Sequence, residues 1–256
     1  ATQLGLPSLS GPWFVAALIF GLTLVLINIF LRPDPQQLGR QFAAIEPETE
    51  AGGSTGGRPY RDILQDPRIK LATAALISGQ LAMVVVMTMT PVHMHHNHHE
   101  LGPISLVIMA HTLGMFGLSF VTGWLVDRLG RNAIILAGGF VLAMACLTAP
   151  LNASALWLAV CLFLLGLGWN FCFVAGSALL SDALRASERG RVQGLTDTMI
   201  NVISGVGSTG GGLIFAAFGY LTISWLSILI SLAPVALLLL LRGTPSLQPG
   251  PVTLDG

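Results

Sequence analysis

Five of the six histidines in this chain fall within seven residues, His93-Met94-His95-His96-Asn97-His98-His99. Imidazoles beside a carboxylate such as Glu100 suit Zn, Ni or Cu. His95, His98 and His99 would share one face if a helix ran through them. The same spacing fits a tetrahedral metal site drawn from His95, His96, His98 and His99, a polar cap with no specific ligand, or a pH-sensitive gate. All three readings stay open. A second kind of chemistry sits in single polar side chains within apolar runs: Gln80, His111, Asn170, Asp197 and Asn201. Such groups are expensive in hydrocarbon and rarely face lipid, so each is a candidate contact for a proton or a polar solute. Asp197 and Asn201 lie one turn apart and share a face. Asp197 would serve as a proton carrier, or pair with Arg189 or Arg191 about 9 Å away along a helix. The unperturbed imidazole pKa of ~6.5 would allow His111 to titrate near neutral pH, which makes it the stronger proton or substrate candidate. Interhelical hydrogen bonding is the competing role for His111, Gln80 and Asn170. Thr88, Met83 and Met87 would extend the same lining.

The elements that hold these residues follow from composition. The chain is 53% hydrophobic and 9% charged, with a mean hydropathy of +0.76. A soluble domain carries about 25% charge. The apolar residues come in runs at roughly 13–31, 69–92, 103–125, 133–149, 154–180, 192–218 and 221–241. Each is near the ~20 residues needed to cross a ~30 Å hydrocarbon layer. An all-α membrane protein of about seven transmembrane helices is predicted. The first run lacks a basic flank and is too long for a signal peptide. The sequence opens at Ala1 without a methionine, as expected of a processed product, a fragment or an incompletely defined end. Cys146, Cys161 and Cys172 all fall inside predicted spans and are read as free thiols packed between helices.

Charge placement gives the orientation. All twelve Lys and Arg residues fall in 32–70, 128–131, 185–191 or at 242. With an outside N-terminus these segments are cytoplasmic, and the loops near 93–102, 150–153 and 219–220 are external. The predicted organisation is an external N-terminus and lone helix (1–31), a flexible cytoplasmic linker (32–67), a six-helix transmembrane bundle (68–242) and a cytoplasmic tail (243–256). The linker reading rests on Glu46 to Gly57, first acidic and then Gly-rich, which cannot bury enough apolar area to offset ordering.

Between the third and fourth runs lies Gly123-Trp124-Leu125-Val126-Asp127-Arg128-Leu129-Gly130-Arg131. A carboxylate beside two guanidiniums at a helix end can hold one conformation and release in another, and the two glycines are expected to allow close helix approach. The stretch resembles the G-x-L-x-D-R-x-G-R loop of the major facilitator superfamily, which joins the second and third helices of each six-helix half on the cytoplasmic face. Residues 166–170 and 181–194 are similar to the tenth-to-eleventh helix region of its bacterial members. The resemblance implies a sixth helix, a central loop and the C-terminal six helices, with five N-terminal helices absent. It also implies an inner latch at Gly123, Asp127, Arg128, Gly130 and Arg131, and a substrate cavity wall carrying Gln80, His111, Asn170, Asp197 and Asn201.

The resulting expectation is part of a proton-coupled secondary transporter in the plasma (inner) membrane, moving a small organic or drug-like solute by alternating access. Its partners would be membrane lipid, a missing N-terminal half or second chain, the solute and protons. Two competitors stand beside it: a scaffold subunit derived from a transporter half, and a metal-ion exporter with a histidine-rich mouth. No cofactor is expected apart from a metal ion at that mouth. The sequence holds no H-E-x-x-H or phosphate-loop pattern, which argues against an enzyme. The basic residues follow topology and form no nucleic-acid-binding patch.

Overall fold

The structure, a computed structural model, describes residues 11–32 and 58–241. Most of the expected linker, the tail after 241 and the first ten residues lie outside the described residues. The chain divides into two units, Ala1–Thr55 and Gly56–Gly256. In the first, α1 (Gly11–Phe30) is apolar apart from Thr23 and Asn28, whose side chains donate to backbone carbonyls one turn earlier, and it is long enough to cross a membrane.

All the regular elements among the described residues of the second unit are helices. A short turn of helix, α2 (Tyr60–Ile63), leads into α3 (Pro67–His96). Asp66 caps α3 by accepting from the Arg68 backbone N–H at 2.8 Å, and Pro67 takes the first helical position, where a missing N–H costs nothing. The third span is two pieces, α4 (Leu101–Phe116) and α5 (Ser119–Leu129), parted at Gly117 and Leu118. Then come α6 (Arg131–Thr148), α7 (Ala155–Ala183), α8 (Ala186–Ser231) and α9 (Ala233–Leu241).

Six stretches are long and apolar enough to cross a membrane, and the last, Ser187–Leu241, holds 55 residues. At 1.5 Å per residue it would be about 80 Å long if straight, more than twice the hydrocarbon thickness. It breaks at Gly219, whose φ of 80° and ψ of −178° suit only glycine. The chain turns back there, giving the two crossings expected from hydropathy.

Two apolar clusters fix the topology of the bundle. One, at the histidine-bearing end, joins Met94, Ile104, Ala149, Leu158 and Ile223, with the partly buried Phe215 packed against them. The other, at the arginine-bearing end, joins Leu71, Val126, Ile134, Leu179, Val192 and Leu238. Each crossing thus contributes one residue to each end, so the six run up and down in alternation. Close crossings are made by small residues, as van der Waals packing in a membrane requires. A Cβ on Gly138 would stand 2.7 Å from Cys172 Sγ, and one on Gly168 2.7 Å from Leu142 N. One on Gly114 or Gly166 would collide with the facing backbone at Phe163 or His111. These glycines seat α7 against α4 and α6. On α8, Gly207 and Gly211 face Leu81 and Val85 of α3, whereas Gly205 and Gly210 border open space.

Candidate solute pathway and inner latch

The inner half of α8 carries two stripes. Leu195, Met199, Val202, Val206 and Leu213 are exposed apolar residues at helical spacing and form a lipid-compatible face. On the opposite side Asp197, Asn201, Ser204 and Ser208 recur at the same spacing. Asp197 and Asn201 are exposed, and the Asn201 amide donates to the Asp197 backbone carbonyl at 2.8 Å. Neither expected arginine meets Asp197. Arg189 donates to Ser181 O, Arg191 donates to Arg58 O, and the Asp197 carboxylate has no ion pair among the described residues.

Gln80 ties this stripe to the rest of the bundle. Its amide donates to Ser204 Oγ at 3.1 Å and its carbonyl oxygen accepts from the Trp169 indole N–H at 2.7 Å. One side chain thereby joins α3, α7 and α8. Trp169 stacks on Phe173 at 4.8 Å and meets Phe116 edge-on at 5.9 Å. Phe116 and Phe173 remain exposed. Measured along their helices, Gln80 lies about 20 Å from Pro67 and Phe173 about 15 Å from Ala183, so this aromatic and amide tier sits near mid-membrane. Toward the arginine-bearing end it opens into a small cleft lined by Phe173, Ser177, Arg189, Gln193, Asp197 and Ile200. Exposed carboxylate and amide groups at such depth need water or another protein against them, not lipid. The aromatic trio was missed in the sequence; its signal was the spacing of Trp169 and Phe173 by one turn.

His111 and Asn170 lie elsewhere. His111 is 2% exposed, packed between α4 and α7, with Nδ1 2.9 Å from Leu162 O. Nε2 is buried and has no hydrogen-bond partner among the described residues. Asn170 is spent on structure: its amide donates to Met115 O and Ser119 Oγ, and its carbonyl oxygen accepts from Thr122 Oγ1. It satisfies the carbonyl freed where α4 gives way to α5, so no part of it is offered to a solute.

At the arginine-bearing end, Gly130 separates α5 from α6 with φ 87°, a left-handed turn that glycine makes without strain. The expected close approach at the two glycines is not found. A Cβ on Gly123 or Gly130 would meet no atom within 4 Å, so Gly130 serves backbone geometry and Gly123 faces open space. Arg131 Nε donates to Asp182 Oδ2 at 3.0 Å, clasping the α5–α6 turn to the end of α7. Asp127 is only 4.0 Å from Arg131, and Arg128 lies over the Trp124 ring at 5.1 Å.

A stronger clasp, not foreseen from sequence, lies beside it. Glu188, with a side chain 0% exposed, accepts from Arg58 N–H and Nε at 3.0 Å and from its terminal nitrogen at 2.9 Å. It also accepts from the Arg185 backbone N–H at 3.2 Å. The carboxylate raises the pKa of the Arg58 guanidinium further, so the pair stays ionised. Arg191 stacks over Tyr60 at 4.2 Å and Ile63 is fully buried. Residues 58–63 are thus strapped to the start of α8.

The histidines do not converge. Helix α3 stops at His96, so His95, His98 and His99 never share a helical face, and His98 turns into the left-handed region at φ 61°. His93 stacks on Tyr220, His96 packs on Phe215, and His99 Nε2 lies 2.7 Å from Ala153 O. Among the described residues no three His, Cys, Asp or Glu side chains group as metal ligands. The proposed set His95, His96, His98 and His99 is therefore not brought together, because the helix end disperses it.

Comparison with known proteins agrees with this architecture. Residues 71–254 match the model of the Major Facilitator Superfamily. Over 246 residues the chain is 37% identical to YdeG, an uncharacterized MFS-type transporter of Bacillus subtilis, covering 95% of this chain and 56% of that protein. It is 34% identical over 242 residues to YddS of the same organism, covering 93% of this chain and 55% of that one. It is also 34% identical to the riboflavin transporter RfnT of Brucella anthropi, over 73% of this chain and 47% of that protein. The chain spans about half the length of the curated relatives it matches. Its helical bundle, its Asp127/Arg128/Arg131 turn and the match over residues 71–254 together place this chain in the Major Facilitator Superfamily.

Proposed function

We propose that the chain forms the C-terminal wall, with one preceding helix, of a proton-coupled secondary transporter for a small organic solute. The observation that carries this reading is an exposed polar and aromatic surface that runs from Phe116, Phe173 and the half-buried Gln80 near mid-membrane to Asp197 and Asn201 nearer the arginine-bearing end. An N-terminal half, in the same polypeptide or a second chain, covers that face and completes the cavity. The aromatic tier takes the body of the solute, and Gln80 fixes its polar edge. Two relatives, the riboflavin transporter RfnT and the multidrug resistance protein MdtL of Shewanella, support an organic solute.

Asp197 is the proton carrier in this reading. An unpaired carboxylate, dehydrated when the cavity closes, holds a proton more readily, and re-hydration releases it. The Arg131 to Asp182 clasp and the Arg58 to Glu188 clasp hold the arginine-bearing end together in one state of the cycle. By the charge rule that end is cytoplasmic, in the plasma (inner) membrane, with α1 entering from outside. The reading invokes no cofactor and no nucleic acid.

The test is uptake into proteoliposomes holding the full-length protein, with riboflavin and ethidium as probes under an imposed pH gradient. Transport of either probe that follows the gradient, and is lost in Asp197→Asn while equilibrium exchange persists, is the expected result. Absence of gradient-driven movement of both probes, with the protein folded, contradicts it.

A further inference from the structure

At the histidine-bearing end, a second cavity of about 530 Å³ lies between α3, the turn at 149–151 and the break in α8. Its walls include His93, His96, Pro150, Phe215, Gly219 and Tyr220. That volume falls within the ~300–1,000 Å³ typical of small-molecule sites. Gly219, with its left-handed backbone, lies in the wall, where α8 breaks and Tyr220 is brought against α3.

The lining is built of rings. His93 lies flat on Tyr220, with centroids 4.4 Å apart and planes 9° apart. Tyr220 is itself anchored, its hydroxyl donating to the buried Thr90 Oγ1 at 2.7 Å while Thr90 donates to Val86 O. His96 leans on Phe215 at 5.7 Å. The rigid walls are thus π faces and ring edges, suited to a flat ring.

Charge decides what else the ligand carries. No lining residue is acidic, and imidazole is the one side-chain type in the lining that can take up a proton to become a cation. Among the described residues the other titratable groups of this end are His95, His98 and His99 beside them, Glu100 just before α4, the buried thiols Cys146 and Cys161, and Tyr220 from α8; the 149–151 turn supplies none. The cavity is neutral or positive and never negative, which disfavours cations and favours anions. The π face of Tyr220, which would attract a cation, is covered by His93.

We infer that this cavity is an outer binding site for an aromatic organic anion, bound more tightly as the pH falls, held by a ring contact with Phe215 and by the His93 and His96 imidazoles. It is separate from the mid-membrane tier and does not depend on the transport reading.

The experiment is equilibrium binding to the full-length protein in phosphatidylcholine nanodiscs, with empty nanodiscs as background and no gradient. Naphthalene-1-sulfonate is the probe because it stays ionised throughout; methanesulfonate lacks the ring and 1-naphthyltrimethylammonium inverts the charge. Naphthalene-1-sulfonate is expected to bind at pH 5.5 about tenfold tighter than at pH 8 and about tenfold tighter than either control. His96→Gln and Phe215→Leu each weaken it by a similar factor, with His93 left intact to preserve the Tyr220 stack. Equal affinity for the cation, equal affinity for methanesulfonate, pH-independent binding, or indifference to both substitutions overturns the inference.

Discussion

Gln80 shows how one amide organises the mid-membrane tier. It accepts from Trp169 and donates to Ser204, so Gln80→Ala leaves an indole N–H without its partner and removes the link between α7 and α8. A lost interhelical bond in a membrane costs about 1–2 kcal/mol. We expect a fall of a few degrees in Tm, read by thermal denaturation in detergent, with a larger loss of probe affinity than Trp169→Phe causes. An unchanged affinity would make Gln80 a packing residue only. The five intramembrane polar residues were identifiable from sequence because polar groups stand out in apolar runs. Their separate roles were not, because spacing along one helix does not say which neighbour faces it. Asn170 is consumed by the α4 to α5 break and His111 is enclosed against Leu162, whereas Asp197 and Asn201 stay open. The exposed stripe Leu195, Met199, Val202, Val206 and Leu213, opposite Asp197, Asn201, Ser204 and Ser208, was readable from period alone.

Among elements, α7 is the hub, and its glycines are its fitting surface. Gly166→Val drives a branched side chain into the backbone of α4 at His111 and Met115, where nothing flexible can yield. Overpacking of this kind costs about 1–3 kcal/mol or more, and the variant should lose expression and unfold at markedly lower temperature. Gly210→Ala, facing open space, should change Tm by less than a degree or two and so controls for propensity. The strap at 58–63 gives a second prediction at this scale. Arg58→Ala strands a fully buried carboxylate, so it should lower Tm more than Arg58→Ala combined with Glu188→Gln. Simple additivity of the two substitutions would show that the pair does not couple. Helix positions were legible because hydropathy and charge both mark the ends of spans. The strap was not, since Arg58 and Glu188 are 130 residues apart and nothing local pairs them. The arrangement of the histidine run was not legible for a related reason: α3 ends at His96, within the run itself.

At the scale of the molecule, six alternating crossings bury one face of each helix and leave a polar, aromatic face uncovered. Apolar runs and the one-sided distribution of arginine made the all-helical membrane fold legible, and the Asp127/Arg128/Arg131 turn made the family legible. What occupies the uncovered face was not, because a sequence pattern separates lipid-facing from polar surface but does not name the second surface. The central claim is that this face lines a water-filled pathway. Single substitutions Asn201→Cys and Ser204→Cys in the full-length protein, with Val206→Cys as the lipid-facing control, test it by labelling with a membrane-impermeant maleimide from each side. The native thiols Cys146, Cys161 and Cys172 are buried and free, which keeps the background low. The account predicts that positions 201 and 204 label and are protected by the solute while position 206 does not label. Failure of 201 and 204 to label from either side, or labelling equal to that at 206, would contradict it.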